Sequence, residues 1–242
     1  MGFLFVLSVG LIAGTLSGIV GTGSSIMLMP VLAYEYGPKE AVPIMAVAAV
    51  MANLSRILAW WREVDWRACA AYSITGIPAA ALGARTLLVL PSHAVDIAIG
   101  SFLIAMVPVR HWLARHQLKA NLWHLAIGGA VIGFLTGIVV STGPLSVPLF
   151  LFYGLSKGAF LATEAASSLG LYFSKSVTFQ RFGALNPDIL LKGLIAGGSL
   201  MSGAFIAKRY VLKLQPDVFR LVMDGIMIAA GLSMLWNALQ SP

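Results

Sequence analysis

The chain has 242 residues, of which 59% are hydrophobic and only 10% are Asp, Glu, Lys or Arg. Because a soluble domain has about 25% of such charged residues, this composition excludes an ordinary soluble protein and indicates a chain that lies in a lipid bilayer. The net charge of +7 does not indicate nucleic-acid binding, because the basic residues lie between apolar segments, as they do in cytoplasmic loops of membrane proteins.

The first half of the chain, residues 1–120, is a series of apolar segments joined by short polar loops. Residues 3–20 are apolar, the sequence GTGSS at 21–25 interrupts them, and residues 26–34 resume the apolar run. Three further segments are each close to the roughly 20 residues that a transmembrane helix needs; they are 41–61, 68–90 and 93–112. The most basic loop, RHWLARHQLK at 110–119, ends this half.

The second half, residues 121–242, repeats the plan. Residues 122–139 are apolar, STGP at 141–144 interrupts them, and residues 145–153 resume; the later spans are 158–179, 188–207 and 217–238. GLIAGTLSGIV at 10–20 aligns with GAVIGFLTGIV at 129–139 at a constant offset of 119, and Pro30 aligns with Pro148 at an offset of 118. The two halves are therefore an internal repeat that together form one transport domain.

The distribution of Lys and Arg predicts the orientation of the repeats. If each interrupted segment crosses the bilayer once, nine basic residues face one side and seven the other. If each turns back at its interruption, the division is eleven against five. An excess of Lys and Arg marks the cytoplasmic side. We therefore predict an all-α integral membrane protein of two inverted repeats, with six to eight transmembrane helices and two broken or re-entrant helix hairpins. We expect it in the cell inner (plasma) membrane, with a cytoplasmic central loop and both termini outside.

The two interruptions are the predicted binding site. A break within hydrocarbon is costly unless the freed backbone lines a cavity, and matching breaks in two halves are typical of transporter sites. The helix that starts at each break presents free N–H groups and a positive dipole end, which bind small oxyanions. We call the two interruptions, each with the start of the helix that follows, the first tip (residues 21–25) and the second tip (residues 141–146). The predicted substrate-binding residues of these tips are Gly21, Thr22, Gly23, Ser24, Ser25, Ser141, Thr142, Gly143 and Ser146. For Gly14, Gly18, Gly133 and Gly137, close helix packing explains the small residue better.

Polar residues inside spans are the remaining candidates. Arg56 and Lys175, which share the offset of 119, would offset the charge of an anion, or they snorkel to the membrane surface. Asn53 is a candidate ligand for the substrate or a group that joins helices. Glu164 is a candidate for carrying a coupling proton, or it is a hydrogen-bonded structural residue. We expect no metal and no cofactor, because the lone Cys69 and the four His residues show no metal-ligand spacing.

The glycine pattern G-x-x-x-G-x-x-G-x-G at 14–23, with small polar residues and an apolar run containing Pro30 after it, resembles the TauE/SafE family of sulfite and organosulfonate exporters. The resemblance covers nearly the whole chain, although Gly23-Ser24-Ser25 replaces the usual three glycines. It implies a secondary transporter that exports a small anion, sulfite or an organosulfonate, by alternating access. No Walker motif is present, so we do not expect ATP hydrolysis. An intramembrane hydrolase using a tip serine, a passive anion channel and a homodimer stay open as alternatives.

Overall fold

The computed structural model describes residues 2–20, 24–116, 119–139, 142–155, 157–210 and 216–240. These residues form ten α-helices and one short 3₁₀ helix, so the predicted all-helical fold is confirmed. The first half contains α1 (Gly2–Val20), α2 (Ser24–Tyr36), α3 (Pro38–Trp60), the 3₁₀ helix (Trp61–Glu63), α4 (Trp66–Val89) and α5 (Ser92–Arg115). The second half contains α6 (Leu122–Ile138), α7 (Gly143–Phe152), α8 (Lys157–Arg181), α9 (Pro187–Tyr210) and α10 (Pro216–Gln240).

Local sequence accounts for several helix ends. The side chain of Asp65 accepts hydrogen bonds from the N–H groups of Arg67 and Ala68 and so caps α4. Asn121 caps α6 in the same way. Gly37 separates α2 from α3 with a φ of 77°, a conformation that a side chain would strain. The polar turns between the predicted spans are therefore true helix boundaries.

Both predicted interruptions are breaks between helices. In the first half α1 ends at Val20 and α2 begins at Ser24, and in the second half α6 ends at Ile138 and α7 begins at Gly143. The predicted site residues Gly21, Thr22, Gly23 and Ser141 lie outside the described residues. That each pair of helices turns back within the bilayer stays a prediction.

Equivalent helices of the two halves make equivalent contacts with the opposite half. Helix α1 packs on α9, and its counterpart α6 packs on α4. Helix α3 packs on α9 as its counterpart α8 packs on α4, while α3 meets α8 and α5 meets α10. An approximate two-fold relation between the halves would give this pattern, and that relation stays a prediction. Its orientation relative to the membrane, and hence the inverted arrangement, stays a prediction.

Glycines permit the closest of these contacts. A Cβ added at Gly133 of α6 would overlap the backbone of Gly76 on α4, and one added at Gly137 would overlap the backbone around Ala80. In the other half, a Cβ at Gly14 would overlap the backbone of Leu200 on α9. The packing role predicted for these glycines is confirmed, while the surroundings of Gly18 lie outside what the structure describes.

The outer surface suits a bilayer. Within the described ranges, three segments are long and apolar enough to cross a membrane, namely Lys39–Glu63, His93–Leu113 and Pro187–Ile206. Large apolar side chains such as Leu4, Val89 and Trp123 are exposed on this surface. Lipid would cover these side chains, so the chain is a helical membrane protein. The predicted number of full spans is not tested by these three segments.

Candidate functional site

The two helix breaks converge on one cavity between the halves of the protein. The cavity has a volume of about 30 Å³, which holds one or two water-sized groups. The first turns of α2 and α7 form one part of its wall, and inward-facing positions of α3 and α8 form the rest. The residues that line it are Ser24, Ser25, Ala49, Ala52, Asn53, Arg56, Thr142, Gly143, Glu164, Ser168 and Tyr172.

Most of the described residues that the sequence predicts as a site meet here. Seven of them line the cavity: Ser24, Ser25, Asn53, Arg56, Thr142, Gly143 and Glu164. Ser146 lies behind the wall, where its hydroxyl donates a hydrogen bond of 3.2 Å to Glu164 Oε1. Lys175 is not among the lining residues, and its ammonium group points elsewhere. The structure thus brings the two tips together as the repeat predicts.

Ser168 and Tyr172 are lining residues that the sequence reasoning missed. Both lie on the face of α8 that carries Glu164, at intervals of four residues. The repeat offset could have found them, because Ser168 is 119 residues after Ala49 and Tyr172 is 119 residues after Asn53. Repeat-equivalent positions therefore face the same cavity, as an approximate two-fold axis passing near it would require.

Arg56 is the cation of the cavity among the described residues. Its Nη1 lies 3.0 Å from Glu164 Oε2, and its Nη2 donates a hydrogen bond to Asn53 Oδ1. Its Nε is buried and finds no hydrogen-bond partner within the described ranges. The guanidinium group therefore retains one N–H donor without a partner among the described residues. Because 13% of the side chain is exposed and the head group is held by α8, the snorkelling alternative is wrong for Arg56.

Glu164 joins three helices through its carboxylate. Oε2 accepts from Arg56 of α3, while Oε1 accepts from Ser146 of α7 and from Ser168 of α8, the latter at 2.8 Å. The residue is only 3% exposed. A buried carboxylate needs such partners, since an isolated charge would be strongly disfavoured. The hydrogen-bonded role expected of Glu164 is thus present, and its role in proton coupling stays a proposal.

Asn53 serves Arg56 rather than a neighbouring helix. Its Nδ2 donates to Ala49 O at 2.8 Å, one turn earlier on α3, and its Oδ1 accepts from Arg56. Both of these partners belong to α3, so these bonds do not join helices. Asn53 instead holds the guanidinium of Arg56 at the cavity wall.

Lys175 supports the second tip from behind. Its Nζ donates to Thr136 O at 2.7 Å and to Val139 O at 2.9 Å, which are the last carbonyl groups around the end of α6. A cation at this position satisfies carbonyls that have no partner in the helix and complements the negative end of its dipole. Lys175 is 1% exposed, so the snorkelling alternative is wrong for it as well.

The second tip is further fixed by a hydroxyl pair. Thr136, in the last turn of α6, forms a hydrogen bond with Thr142, which directly precedes α7. Both side chains are buried. Together with Lys175, this bond ties the end of α6 to the start of α7. In the first turn of α7 the N–H groups of Leu145 and Ser146 donate to Thr142 O, and Pro144 has no N–H.

The lining combines serine hydroxyls with one carboxylate and one guanidinium group. A serine hydrolase would need a base within hydrogen-bond reach of its nucleophile, and Glu164 Oε1 lies 2.8 Å from the hydroxyl of Ser168. No His lines the cavity among the described residues, and the amine of Lys175 is held by two carbonyl groups. Within the described ranges, no group of three His, Cys, Asp or Glu side chains could hold a metal ion.

Comparisons with known proteins agree with a membrane transporter. A family model described as "Sulfite exporter TauE/SafE" matches residues 6–234. A "Probable membrane transporter protein YjnA" of Bacillus subtilis is 23% identical, over 95% of this chain and 98% of the relative. A "Probable membrane transporter protein y4hK" of Sinorhizobium fredii is 31% identical, over 72% of this chain and 73% of the relative. No solved structure shows a significant match.

Proposed function

The chain belongs to the sulfite exporter TauE/SafE family of membrane transporters, and we propose that it exports a small anion, sulfite or an organosulfonate, as a secondary transporter. The anion would bind in the cavity between the first turns of α2 and α7. In this proposal the two halves, 1–120 and 121–242, form one transport domain in the inner (plasma) membrane. The loop around residues 110–119 is cytoplasmic, both termini are outside, and a homodimer stays open.

The observation that carries the proposal is the meeting of two helix N-termini and one arginine at a buried cavity. Helix N-termini attract anions through free N–H groups and the helix dipole. The Nε of Arg56 adds a charged donor that has no partner among the described residues. Hydroxyl groups of Ser24 and Ser25 add uncharged donors. Such a set matches the several oxygens of a sulfur oxyanion without a second fixed cation, which would hold the anion too tightly to release it.

The position of the cavity suits alternating access. Its wall is shared between the halves, since α2 and α3 come from the first and α7 and α8 from the second. Rocking of one half against the other would open the cavity to one side at a time. The membrane potential can drive an anion outward by about 2.3 kcal/mol per charge per 100 mV, and protons are the other available driving ion.

Flux in proteoliposomes tests this function. The wild type should take up radiolabelled sulfite or a monovalent organosulfonate such as methanesulfonate with saturation, and unlabelled anion on the opposite side should accelerate that uptake. Arg56→Gln should lower the uptake about 10- to 100-fold, because a charge-assisted hydrogen bond contributes about 1.5–3 kcal/mol. Arg85→Gln is the matched control, since Arg85 is exposed and stacks on Phe182 at the surface.

The outcomes separate the alternatives. Absence of flux with sulfite, sulfoacetate and other small anions would contradict the proposal. Uptake that neither saturates nor responds to anion on the opposite side would indicate the passive channel. Equal loss of flux in the Arg56 and Arg85 variants would show that the arginine in the cavity has no special role.

A further inference from the structure

The cavity contains a buried ion pair whose negative partner occupies the place that a substrate anion would take. Arg56 Nη1 and Glu164 Oε2 are 3.0 Å apart, and both side chains are at most 13% exposed. The cavity itself is small, at about 30 Å³. One guanidinium group thus already faces one carboxylate in a space that has little room for water. An entering anion must share Arg56 with Glu164 or replace Glu164 there.

We infer that the site binds a monovalent oxyanion together with one proton: the anion replaces the Glu164 carboxylate at Arg56, and the proton neutralises Glu164. This inference rests on the proposed function. In the empty site Glu164 is ionised and paired with Arg56. On binding, a proton is added to a carboxylate oxygen of Glu164, and the anion accepts hydrogen bonds from the guanidinium group. On the other side of the membrane both are released and the ion pair forms again.

The proton is needed to balance the charges of Arg56, Glu164 and the anion in a buried space. A carboxylate that loses its arginine while still ionised is an uncompensated buried charge, which is strongly disfavoured. An anion placed beside the intact carboxylate would add a like charge at close range, which is also unfavourable. Protonation removes both problems, because a neutral carboxyl group can donate a hydrogen bond and still accept from Ser146 or Ser168.

The groups around Glu164 leave Arg56 as its charge partner. From α4, Tyr72 lies close enough to interact with the carboxylate, and Tyr172 follows two turns later on α8 itself. At the start of α8, Glu63 of the 3₁₀ helix lies beside Gly158, while Asp65 caps α4. Of the two nearby basic side chains, Lys175 of α8 binds the end of α6, and Arg56 of α3 binds Glu164 directly.

Two consequences follow for transport. Movement of one anion with one proton carries no net charge, so the membrane potential should not drive it and a pH gradient should. Export by this cycle then follows the outward concentration gradient of the anion, and an acidic exterior opposes it. A divalent anion would leave one negative charge uncompensated in the cavity, so the site should select against sulfate and should bind sulfite in its monovalent form, hydrogen sulfite. Neither property is required for the protein to be an anion transporter, which allows the two proposals to fail separately.

The test is transport of labelled methanesulfonate by the full-length protein in proteoliposomes. Methanesulfonate is a monovalent anion that does not bind protons near neutral pH, so any proton that moves is carried by the protein. The pH gradient and the membrane potential are set independently, the latter with potassium and valinomycin. The wild type should accumulate methanesulfonate when the outside is acidic and should not respond to the potential. Sulfate should not be transported.

Glu164→Gln should change the driving force of methanesulfonate flux from the pH gradient to the membrane potential. With a permanently neutral side chain at 164, the anion should still bind Arg56, but its flux should follow the potential and lose its response to the pH gradient. Asp96→Asn is the matched control, because Asp96 is a buried carboxylate on α5 that does not line the cavity, and it should behave as the wild type.

Each outcome decides one proposal. Wild-type flux that follows the potential alone, or sulfate flux equal to methanesulfonate flux, would overturn proton coupling while leaving anion transport intact. Absence of flux with methanesulfonate, sulfite and sulfoacetate under every gradient would instead contradict the proposed function. If Glu164→Gln does not fold, the wild-type gradients still decide, as does proton uptake in weak buffer, which should be about one proton per anion bound.

Discussion

Removal of Arg56 should destabilise the protein more than removal of Arg56 and Glu164 together. In Arg56→Gln the carboxylate of Glu164 stays buried without its cation, and breaking a buried pair in this way costs about 3–5 kcal/mol. Glu164 keeps its hydrogen bonds from Ser146 and Ser168 in this variant, which favours the low end of that range. A loss of about 3 kcal/mol corresponds to a decrease in Tm of about 6–12 °C for a chain of this size.

The double variant Arg56→Gln/Glu164→Gln removes both charges and leaves two amides that can hydrogen-bond to each other. It should recover most of the lost stability, although it should not recover transport. Thermal unfolding of the wild type, both single variants and the double variant, purified in detergent at one fixed pH, completes this double-mutant cycle. A double variant no more stable than Arg56→Gln would refute the idea that an uncompensated carboxylate causes the loss.

Three further predictions concern the tips and the helix contacts. Ser24→Ala should raise the KM of transport about 5-fold through loss of a hydrogen bond of about 1 kcal/mol, whereas Ser202→Ala on the exposed face of α9 should leave KM unchanged. Equal KM values for the two variants in saturation measurements would contradict binding of the substrate by Ser24. Lys175→Met should lower both Tm and the maximal rate of transport, because it leaves two carbonyl groups at the end of α6 without their donor. A Tm equal to that of the wild type would show that this contact does not stabilise the second tip. Gly133→Ala should lower Tm by several degrees because the added Cβ would overlap the backbone of α4, whereas the Cβ added in Gly198→Ala would meet no described atom within 4 Å and should leave Tm unchanged. The same Tm in both variants would mean that α4 and α6 can move apart without loss of stability.

The convergence of the two tips could be predicted from the sequence because it follows from the repeat. Ser24 and Thr142 occupy equivalent positions at helix starts, and two related halves bring equivalent positions together near their axis. The same offset would have found Ser168 and Tyr172 from their counterparts on α3. The sequence therefore contains enough information to predict that these two residues line the cavity.

The roles of Arg56 and Lys175 could not be predicted in this way. They are equivalent in the repeat, yet Arg56 reaches α8 across the cavity, while Lys175 reaches the end of α6. The difference depends on Glu164, whose counterpart in the first half is Met45, so that only one half supplies a carboxylate. Arg56 and Glu164 are 108 residues apart, and their pairing depends on the packing of α3 on α8, which no local sequence pattern determines.

The central claim, that the anion binds between the starts of α2 and α7, is tested most directly by locating a bound anion. Selenite has the shape and charge of sulfite, and its selenium atom can be located in a crystal by anomalous scattering. Data from crystals grown with selenite should give one strong peak in the cavity, within hydrogen-bond reach of Arg56 and of Ser24 or Ser25, and the peak should be absent in Arg56→Gln. A peak at another place in the protein, or an unchanged peak in the variant, would contradict the account.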